Sequence, residues 1–584
     1  MSAAAAPGEL RLSIGQFSDR GRKETNQDFH GAMTPVQPAL GLKGVAIAIA
    51  DGISSSDAGA EASEAAVKGF LTDYFCTSDS WSVKTSATRV IAALNSWLHA
   101  QSRRSRHAHD IEHGMDKGHV CTLSVLVVKS AVAHVFHVGD SRVSRVSGNC
   151  LERLTEDHRV TVSAQQSYLG RALGVNPHVE IDYRAVALEV GDTFVLSTDG
   201  VHEHAGARFV AAAVRDNAGD LDAAAKAIVA EAFRNGSADN LTVQVVRVDA
   251  LPRAEGGEAL AQGAALALPP LLEARGKFEG YTVVRQIHAS SRSHIYLCLD
   301  DADGTQAAVK IPSIDQRGDP AYLRRFMMEE WAARRIDSPH VLRALPHPRK
   351  RGHLFAAMEF IEGQTLTQWM RDNPRPHIEA VRAIVEQIAA GLRAFHRKEM
   401  LHQDLRPENI LVDRTGTVKI IDFGAVRVAG VSEAAPSADD GAMLGTHQYS
   451  APEYFLGQGG TPRSDLFSLG VIAYQMLTGL LPYGASLAKA RTGAQMRKLA
   501  YASALNANPA VPAWVDRVLK RAVHPDPASR HGDVDEFTYA LRHPDPSSMP
   551  AFTPLAERNP LLFWKVMCLI LVGLSLFLLI PLRR

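Results

Sequence analysis

The chain has 584 residues, enough for about four nominal domains of ~150 residues each, or for two or three larger ones. Hydrophobic residues make up 46% and charged residues 22%, which excludes a chain that is mostly disordered. The 63 Lys+Arg balance the 63 Asp+Glu to a formal charge of zero, which argues against a nucleic-acid coat or a polybasic membrane adhesive, so no nucleic acid is expected as a partner.

In chain order, Met1 to Leu10 has no basic stretch followed by an apolar run, so no secretory signal is expected. Three short, β-rich apolar runs in the first 250 residues abut an aspartate. Val45 to Ala50 runs into Asp51-Gly52, Phe194 to Thr198 runs into Asp199-Gly200, and Ala238-Asp239-Asn240 leads into Leu241 to Val248. Each run predicts a strand. A single Asp-Gly after a strand is usually a hairpin turn, but several together predict carboxylates gathered at one end of a sheet. Clustered carboxylates repel unless protonated or neutralised, and hard divalent cations neutralise them best. Two such ions can share a water, lower its pKa and aim it at a phosphorus. The five cysteines (Cys76, Cys121, Cys150, Cys298, Cys568) lie far apart with no C-x-x-C pair. Neither a disulfide framework nor a structural zinc site is expected, and a reducing compartment fits.

These runs sit inside a longer series of motifs. Ser18-Asp19-Arg20-Gly21 and Asn26-Gln27-Asp28 come first, then Ala50-Asp51-Gly52-Ile53 with Ala58 to Ser63 behind it. Val138 to Arg142, Leu154 to His158, Arg171 to Gly174, Thr198-Asp199-Gly200 and Gly236 to Asn240 follow. The order resembles the metal-dependent protein phosphatases of type 2C over about residues 10–248. The resemblance implies an α/β/β/α sandwich, two packed antiparallel sheets flanked by helices. It also implies that Asp28, Asp51, the Gly52 carbonyl, Asp199 and Asp239 hold two Mn²⁺ or Mg²⁺ ions whose hydroxide attacks a phosphoserine or phosphothreonine. Gln27 stands where the family has Glu. The phosphate-binding Arg of the family falls on Lys23, with Arg22 adjacent, and Lys lacks the bidentate fork. Asp116 lies near a third-metal position. Asp140-Ser141-Arg142 is read as a capped turn rather than a catalytic element.

Between Asp249 and Gly276 the composition shifts to Ala, Gly, Leu and Pro, which reads as a linker. A second constellation then begins. Ala308-Val309-Lys310 ends a β-like stretch, and Phe326-Met327-Met328-Glu329 is expected to begin a helix that brings Glu329 to Lys310. An amphipathic helix is predicted over Ile378 to Phe395, with Val381, Ile384, Ile388, Leu392 and Phe395 on its apolar face. His402-Gln403-Asp404-Leu405-Arg406-Pro407-Glu408-Asn409 follows it. Asp422-Phe423-Gly424 comes after Val418 to Ile421, and Ala451-Pro452-Glu453, Ser464 to Gly470 and Arg530 lie beyond.

Together these resemble the eukaryotic-like Ser/Thr protein kinases, which implies a bilobal fold using ATP and Mg²⁺. Lys310 would hold the phosphates and Glu329 would fix Lys310. Asn409 and Asp422 would hold Mg²⁺, and Asp404 would orient the substrate hydroxyl. Ile287, Ile295, Ala308, Met358, Glu359 and Ile361 would line the nucleotide, with Arg530 paired to Glu453. Two departures stand out. The three glycines of the phosphate loop become His288, Ser290 and Ser293, which allows an alternative in which a nucleotide- or partner-binding pseudokinase regulates the phosphatase. Gln403 replaces the Arg that grips a phosphorylated activation loop, so activity is expected not to depend on phosphorylation there, for example at Thr446.

The chain is thus expected to be an α+β multidomain protein: a phosphatase at 8–249, a linker at 250–277, a kinase at 278–545, a Pro-rich linker at 546–560 and a tail anchor at 561–582. Val566 to Ile580 has 15 residues without a charge, and 561–582 as one helix would measure about 33 Å. A single membrane-spanning helix at the C-terminus, with both domains on the cytoplasmic face of a bacterial inner membrane, follows as an expectation. Protein substrates carrying Ser/Thr or their phosphates, and the chain itself through autophosphorylation and autodephosphorylation, are the expected partners.

Overall fold

The structure, a computed structural model, describes residues 10–53, 56, 58–106, 118–163, 166–252, 266–290, 292–313, 319–346, 351–434, 448–490, 492–544 and 560–579. Asp116, Thr446, residues 253–265 of the 250–277 linker and nearly all of 546–560 lie outside them. The chain forms two compact units. One comprises Met1–Phe360, Ala394–His402 and Asp422–Ala442, and the other Ile361–Arg393, Gln403–Ile421 and Met443–Arg584.

The first unit opens with two five-stranded antiparallel sheets. One runs Arg11–Asp19, Leu241–Ala250, Thr193–Ser197, Arg142–Ser147, Cys150–Arg153. The other runs Asp182–Ala187, Val132–Val138, Leu123–Lys129, Val45–Asp51, Asp28–Met33. The strand Val45–Asp51 shows why they stack. Val45, Ile47 and Ile49 point one way and pack with Phe194, Leu196, Val246 and Val248 of the opposite sheet. Ala46, Ala48 and Ala50 point the other way, where small side chains let the helices Gly59–Cys76 and Val83–Arg106 lie close. Both faces of this strand are buried, so it reads as a continuous apolar run rather than an alternating one. The helices Ala207–Asp216 and Leu221–Arg234 cover the outer face of the first sheet. This is the expected sandwich. One expectation needs correction: Asp51 and Asp28 belong to one sheet, whereas Asp199 and Asp239 flank strands of the other. The acids gather from two sheets, because the ends of strands stacked face to face meet at a shared edge.

Two buried histidines lie in the second sheet. His134 pairs with the Tyr183 hydroxyl at 3.1 Å, and His137 lies 2.8 Å from Ser124 Oγ and 2.9 Å from the Glu156 carbonyl. Burial, with Lys129 nearby, pushes the pKa of His134 down to about 4; burial, with His158 nearby, does the same to His137. The unfolded chain takes up these protons near pH 6.5 and the folded chain only near 4. Their contribution is therefore complete above about pH 6.5 and is lost as pH falls towards 4, by up to about 2.7 kcal/mol per pH unit. Urea midpoints measured from pH 7 to pH 4.5 should fall accordingly, and replacing both histidines by Gln should flatten the profile.

The rest of the first unit holds a sheet ordered Lys277–Phe278, Tyr281–Ala289, Ser293–Asp300, Gln306–Pro312, Ala356–Glu359. Beside it runs the helix Pro320–Ala333, capped by Asp319 through the amides of Ala321 and Tyr322. This helix starts six residues before the expected Phe326, because the Asp319-Pro320 pair is a stronger start signal than the apolar run that follows. The predicted amphipathic helix is present as Ile378–His396. The second unit is mainly helical, with the buried helix Pro462–Thr478 at its centre. All five cysteines are free.

The tail anchor expected at 561–582 is not borne out: among the described residues no helix is long and apolar enough to cross a membrane. The helix found there is Pro560–Leu579. Its uncharged part begins after Lys565, so what is described of it spans about 21 Å against a hydrocarbon core of ~30 Å.

Candidate active sites

Asp28 opens its strand directly opposite Asp51. Thr198, fully buried at the end of the other sheet, donates to Asp28 Oδ2 at 2.9 Å and so joins the two sheets. Asp28 Oδ1 is buried with no hydrogen-bond partner among the described residues. Burial raises the Asp28 pKa to about 7, with Asp199 adding to the effect. Asp51 is raised well above the carboxylate range by burial and by the charges of Asp28, Asp199, Asp140 and Asp239. Asp199 rises to about 6 through burial, then Asp140 and Asp239. Gly52 admits no side chain: a Cβ there would fall 2.3 Å from the Gly59 carbonyl oxygen. Its amide donates to the Gln27 carbonyl at 3.0 Å.

Gln27 has its own physical reason. Its side-chain amide donates to the Ser56 carbonyl at 3.0 Å, a bond that an ionised Glu could not donate. Of the two phosphate-binding candidates, Lys23 lies 3.4 Å from Asp239, and Arg22 lies over the Phe233 ring at 5.2 Å.

Among the described residues, no group of three or more His, Cys, Asp or Glu forms a ready-made metal cage. A guanidinium stands among the acids instead. Arg159 donates to Asp140, Asp199 and Glu203, each at 2.7 Å. Burial alone would lower its pKa, but the bond to Asp140 and the surrounding carboxylates outweigh it and raise it. The donors are all carboxylates and a backbone carbonyl, with one buried carboxylate oxygen unpaired, and this set fits hard divalent cations. Asp140, read from the sequence as part of a turn, belongs to this cluster. Arg159 and Glu203 were not singled out at all, because nothing local to either residue tells where its side chain reaches. Ser141 and Arg142 do act structurally, through Thr122 at 2.8 Å and a bidentate pair with Asp157.

Because Arg159 neutralises acids that would otherwise repel, Arg159→Ala should destabilise the metal-free chain by about 1–2 kcal/mol. Saturating Mn²⁺ should remove most of that difference, as read by thermal melts with and without chelator.

In the same unit, Lys310 is buried on the strand Gln306–Pro312, opposite Ile295 and Ala356. Its Nζ lies 2.7 Å from both Glu329 oxygens and 3.3 Å from Asp422 Oδ1. Burial pulls the Lys310 pKa down, and the Asp422 and Glu329 charges more than reverse it. Lys310 holds Asp422 below its ordinary value, whereas burial leaves Glu329 above its own. Asp422 adopts a left-handed φ of 64°, an uncommon conformation for a non-glycine residue that turns its carboxylate back to the Gly424 amide at 3.3 Å. Phe423 is fully buried against Phe395 and His402.

Ala308 pairs with Met358 across the sheet, and Ile287 and Ile295 are half-buried on the neighbouring hairpin. The Glu359 amide already donates to the Arg343 carbonyl at 3.0 Å. At the loop where Ser290 and Ser293 replace expected glycines, Ser290 closes the turn on itself: its backbone amide donates to the Ser293 carbonyl at 3.0 Å, and its hydroxyl accepts the Ser293 amide at 3.1 Å.

In the second unit, the Asn409 side chain donates to the Asp404 carbonyl at 2.9 Å and to Asp404 Oδ2 at 3.3 Å. Gln403, at φ 64°, donates its amide to Asp465 at 3.0 Å. Arg530 grips Glu453 with two bonds of 2.9 and 2.8 Å, as expected. Ile361 also belongs to this unit.

Residues 281–544 match the protein kinase domain family, and residues 17–245 match protein phosphatase 2C. Among curated proteins, the serine/threonine-protein kinase PknL of Mycobacterium tuberculosis is 32% identical over 284 residues, 48% of this chain and 69% of that protein. The serine/threonine-protein kinase PrkC of Bacillus subtilis is 28% identical over 257 residues, 44% of this chain but 39% of that protein. For PknA of Corynebacterium glutamicum the figures are 32% over 258 residues, 43% and 53%. The chain therefore spans about half or less of the length of the latter two. Among solved structures, the PknI kinase domain of M. tuberculosis superposes with a TM-score of 0.37 at 27% identity, covering 47% of this chain and 99% of that one. The S. agalactiae serine/threonine phosphatase gives 0.35 at 23% identity, with 41% and 100% covered.

Proposed function

We propose, for a chain that belongs to the serine/threonine protein kinase family and carries a protein phosphatase 2C domain ahead of its kinase domain, that it both phosphorylates proteins on Ser/Thr with ATP and removes such phosphates. The domains are taken as 8–249 and 278–545. The observation that carries the kinase half is the buried Lys310–Glu329 pair with Asp422 beside it.

Phosphoryl transfer demands positioning and charge neutralisation more than covalent chemistry. Lys310, held by Glu329, would meet the nucleotide phosphates. By the resemblance to the kinases, Asp422 and Asn409 would hold the Mg²⁺ that accompanies ATP, and Asp404, bonded to the Asn409 amide, would accept the hydroxyl proton of a protein Ser or Thr. Ile287, Ile295, Ala308 and Met358 would line the base, with Glu359 and Ile361 offering backbone groups to it.

In the phosphatase half, Asp28, Asp51, the Gly52 carbonyl, Asp199 and Asp239 would hold divalent ions, Mn²⁺ or Mg²⁺, which supply a hydroxide at neutral pH. Arg159, which donates to Asp199, would share that carboxylate with the ions. Lys23, which lies 3.4 Å from Asp239, would receive a phosphate oxygen, and Arg22 lies over the Phe233 ring. The substrates proposed are protein Ser/Thr and their phosphates, including those on this chain. A second reading, a nucleotide-binding pseudokinase that regulates the phosphatase, is favoured by the turn that Ser290 closes.

One experiment separates the two. The full chain with Asp199→Asn, to silence the phosphatase, is incubated with labelled ATP and Mg²⁺ or Mn²⁺ beside a double variant that adds Asp404→Asn. Label that accumulates on protein in the first and is absent from the second supports the two-way enzyme, and restoring Asp199 should reduce it. Nucleotide binding without label in either would replace that reading with the pseudokinase.

A further inference from the structure

One set of contacts in the first unit serves neither active site. The loop between the helices Gly59–Cys76 and Val83–Arg106 of the phosphatase domain reaches three elements of the kinase domain. At the turn after helix Ile378–His396, Trp81 Nε1 donates to the Arg397 carbonyl at 3.0 Å. There too, the Glu399 carboxylate accepts the Ser82 amide and the Thr85 hydroxyl, both at 2.6 Å. Glu399 thus caps the amino end of Val83–Arg106 from more than 300 residues away, where free amides and the helix dipole favour an anion.

The second element follows Asp422-Phe423-Gly424. The Gly430 amide donates to the Ser80 carbonyl at 2.9 Å, and its carbonyl accepts Lys129 Nζ at 2.6 Å. Lys129 is only 1% exposed, so its ammonium lies inside this contact. Gly430 is a glycine because of crowding: a Cβ there would lie 2.6 Å from the Trp81 carbonyl oxygen and 2.7 Å from that of Asp79. The third is Arg335, two residues beyond the helix that carries Glu329, which lies 3.4 Å from Asp79. The Ala429 amide donates to the Glu399 carbonyl at 3.1 Å, linking the first two elements to each other.

We propose that Asp79–Thr85 and Lys129 of the phosphatase domain form a docking surface for the kinase domain of the same chain. Docking there keeps Glu329 and Asp422 in their Lys310-paired positions. The three elements gripped are the end of the Glu329 helix, the turn before the His402–Asn409 loop and the segment after Asp422-Phe423-Gly424. Fixing them together favours the arrangement in which Lys310 meets both carboxylates, a coupling through packed elements with two alternative positions. The effect on phosphoryl transfer rests on the kinase reading above, whereas the docking itself does not.

The test uses the full chain carrying Asp199→Asn, with and without Gly430→Ala. The added methyl suits an undocked helix, where Ala is favoured over Gly, but collides with the phosphatase backbone in the docked one. Amide exchange in Ser78–Thr85 and Ala429–Ala434 should rise about tenfold or more in Gly430→Ala, with nucleotide affinity and transfer each falling about fivefold or more. A Thr85→Val variant, which removes one bond to Glu399 without a clash, should move the same readouts in the same direction by less. Unchanged exchange in both segments would overturn the docking surface. Raised exchange with unchanged nucleotide affinity would overturn the coupling. A parent chain that binds nucleotide but transfers no phosphate would overturn the kinase reading alone, and exchange and nucleotide affinity would still decide the docking and its coupling.

Discussion

Lys310→Met should lower phosphoryl transfer by about 10²- to 10³-fold, the scale seen when one preorganised charge partner of a transition state is removed. The substitution keeps the length and the buried stem of the side chain but removes the ammonium that faces Glu329 and Asp422. The fold should survive it. Burial already raises the Glu329 pKa, so this carboxyl can take a proton once its partner has gone. Asp422, half-exposed at its side chain, loses the charge that holds its pKa down. Label incorporation measured at saturating and limiting ATP, alongside circular dichroism, separates the loss of transfer from unfolding. A variant within threefold of the parent would remove Lys310 from the mechanism.

Arg530→Met should cost about 3–5 kcal/mol, the penalty for leaving one member of a buried ion pair without its partner. The Arg530 side chain is fully buried. It gives two bonds to Glu453 and others to the carbonyls of His524, Pro525 and Arg463, and it lies over the Phe467 ring at 4.8 Å. Ser464 adds a 2.6 Å bond to Glu453. Pairing Arg530→Met with Glu453→Gln removes the stranded charge and should recover a large part of the loss. Urea unfolding followed by a probe within the second unit measures both, and strict additivity of the two changes would show that the pair is not coupled.

Much of this molecule was legible before its structure. Strands at Val45, Phe194 and Leu241 announced themselves as short β-branched runs, and the helix from Ile378 by its apolar spacing, because such patterns depend on neighbours a few residues apart. The pairing of Glu453 with Arg530, 77 residues apart, was legible only through the resemblance to the kinases. The start of the Glu329 helix was misplaced because the apolar run outweighed the Asp319-Pro320 signal. The apolar segment near the C-terminus looked long enough to cross a membrane only when residues on both sides of Val566–Leu579 were counted with it.

The sequence by itself determined the elements, the two sets of motifs and the acids and lysine that carry the proposed chemistry. Residue type and local spacing suffice for that. Only the tertiary structure decided that the acids come from two sheets, that Arg159 and Asp140 join them, that Lys23 rather than Arg22 reaches Asp239, and that Gly430 lies against Ser80. Each of these rests on where a long side chain ends or on which distant backbones touch. Such placements are set by the packing of whole layers, in which a one-residue shift in register turns every side chain of a strand to the opposite face.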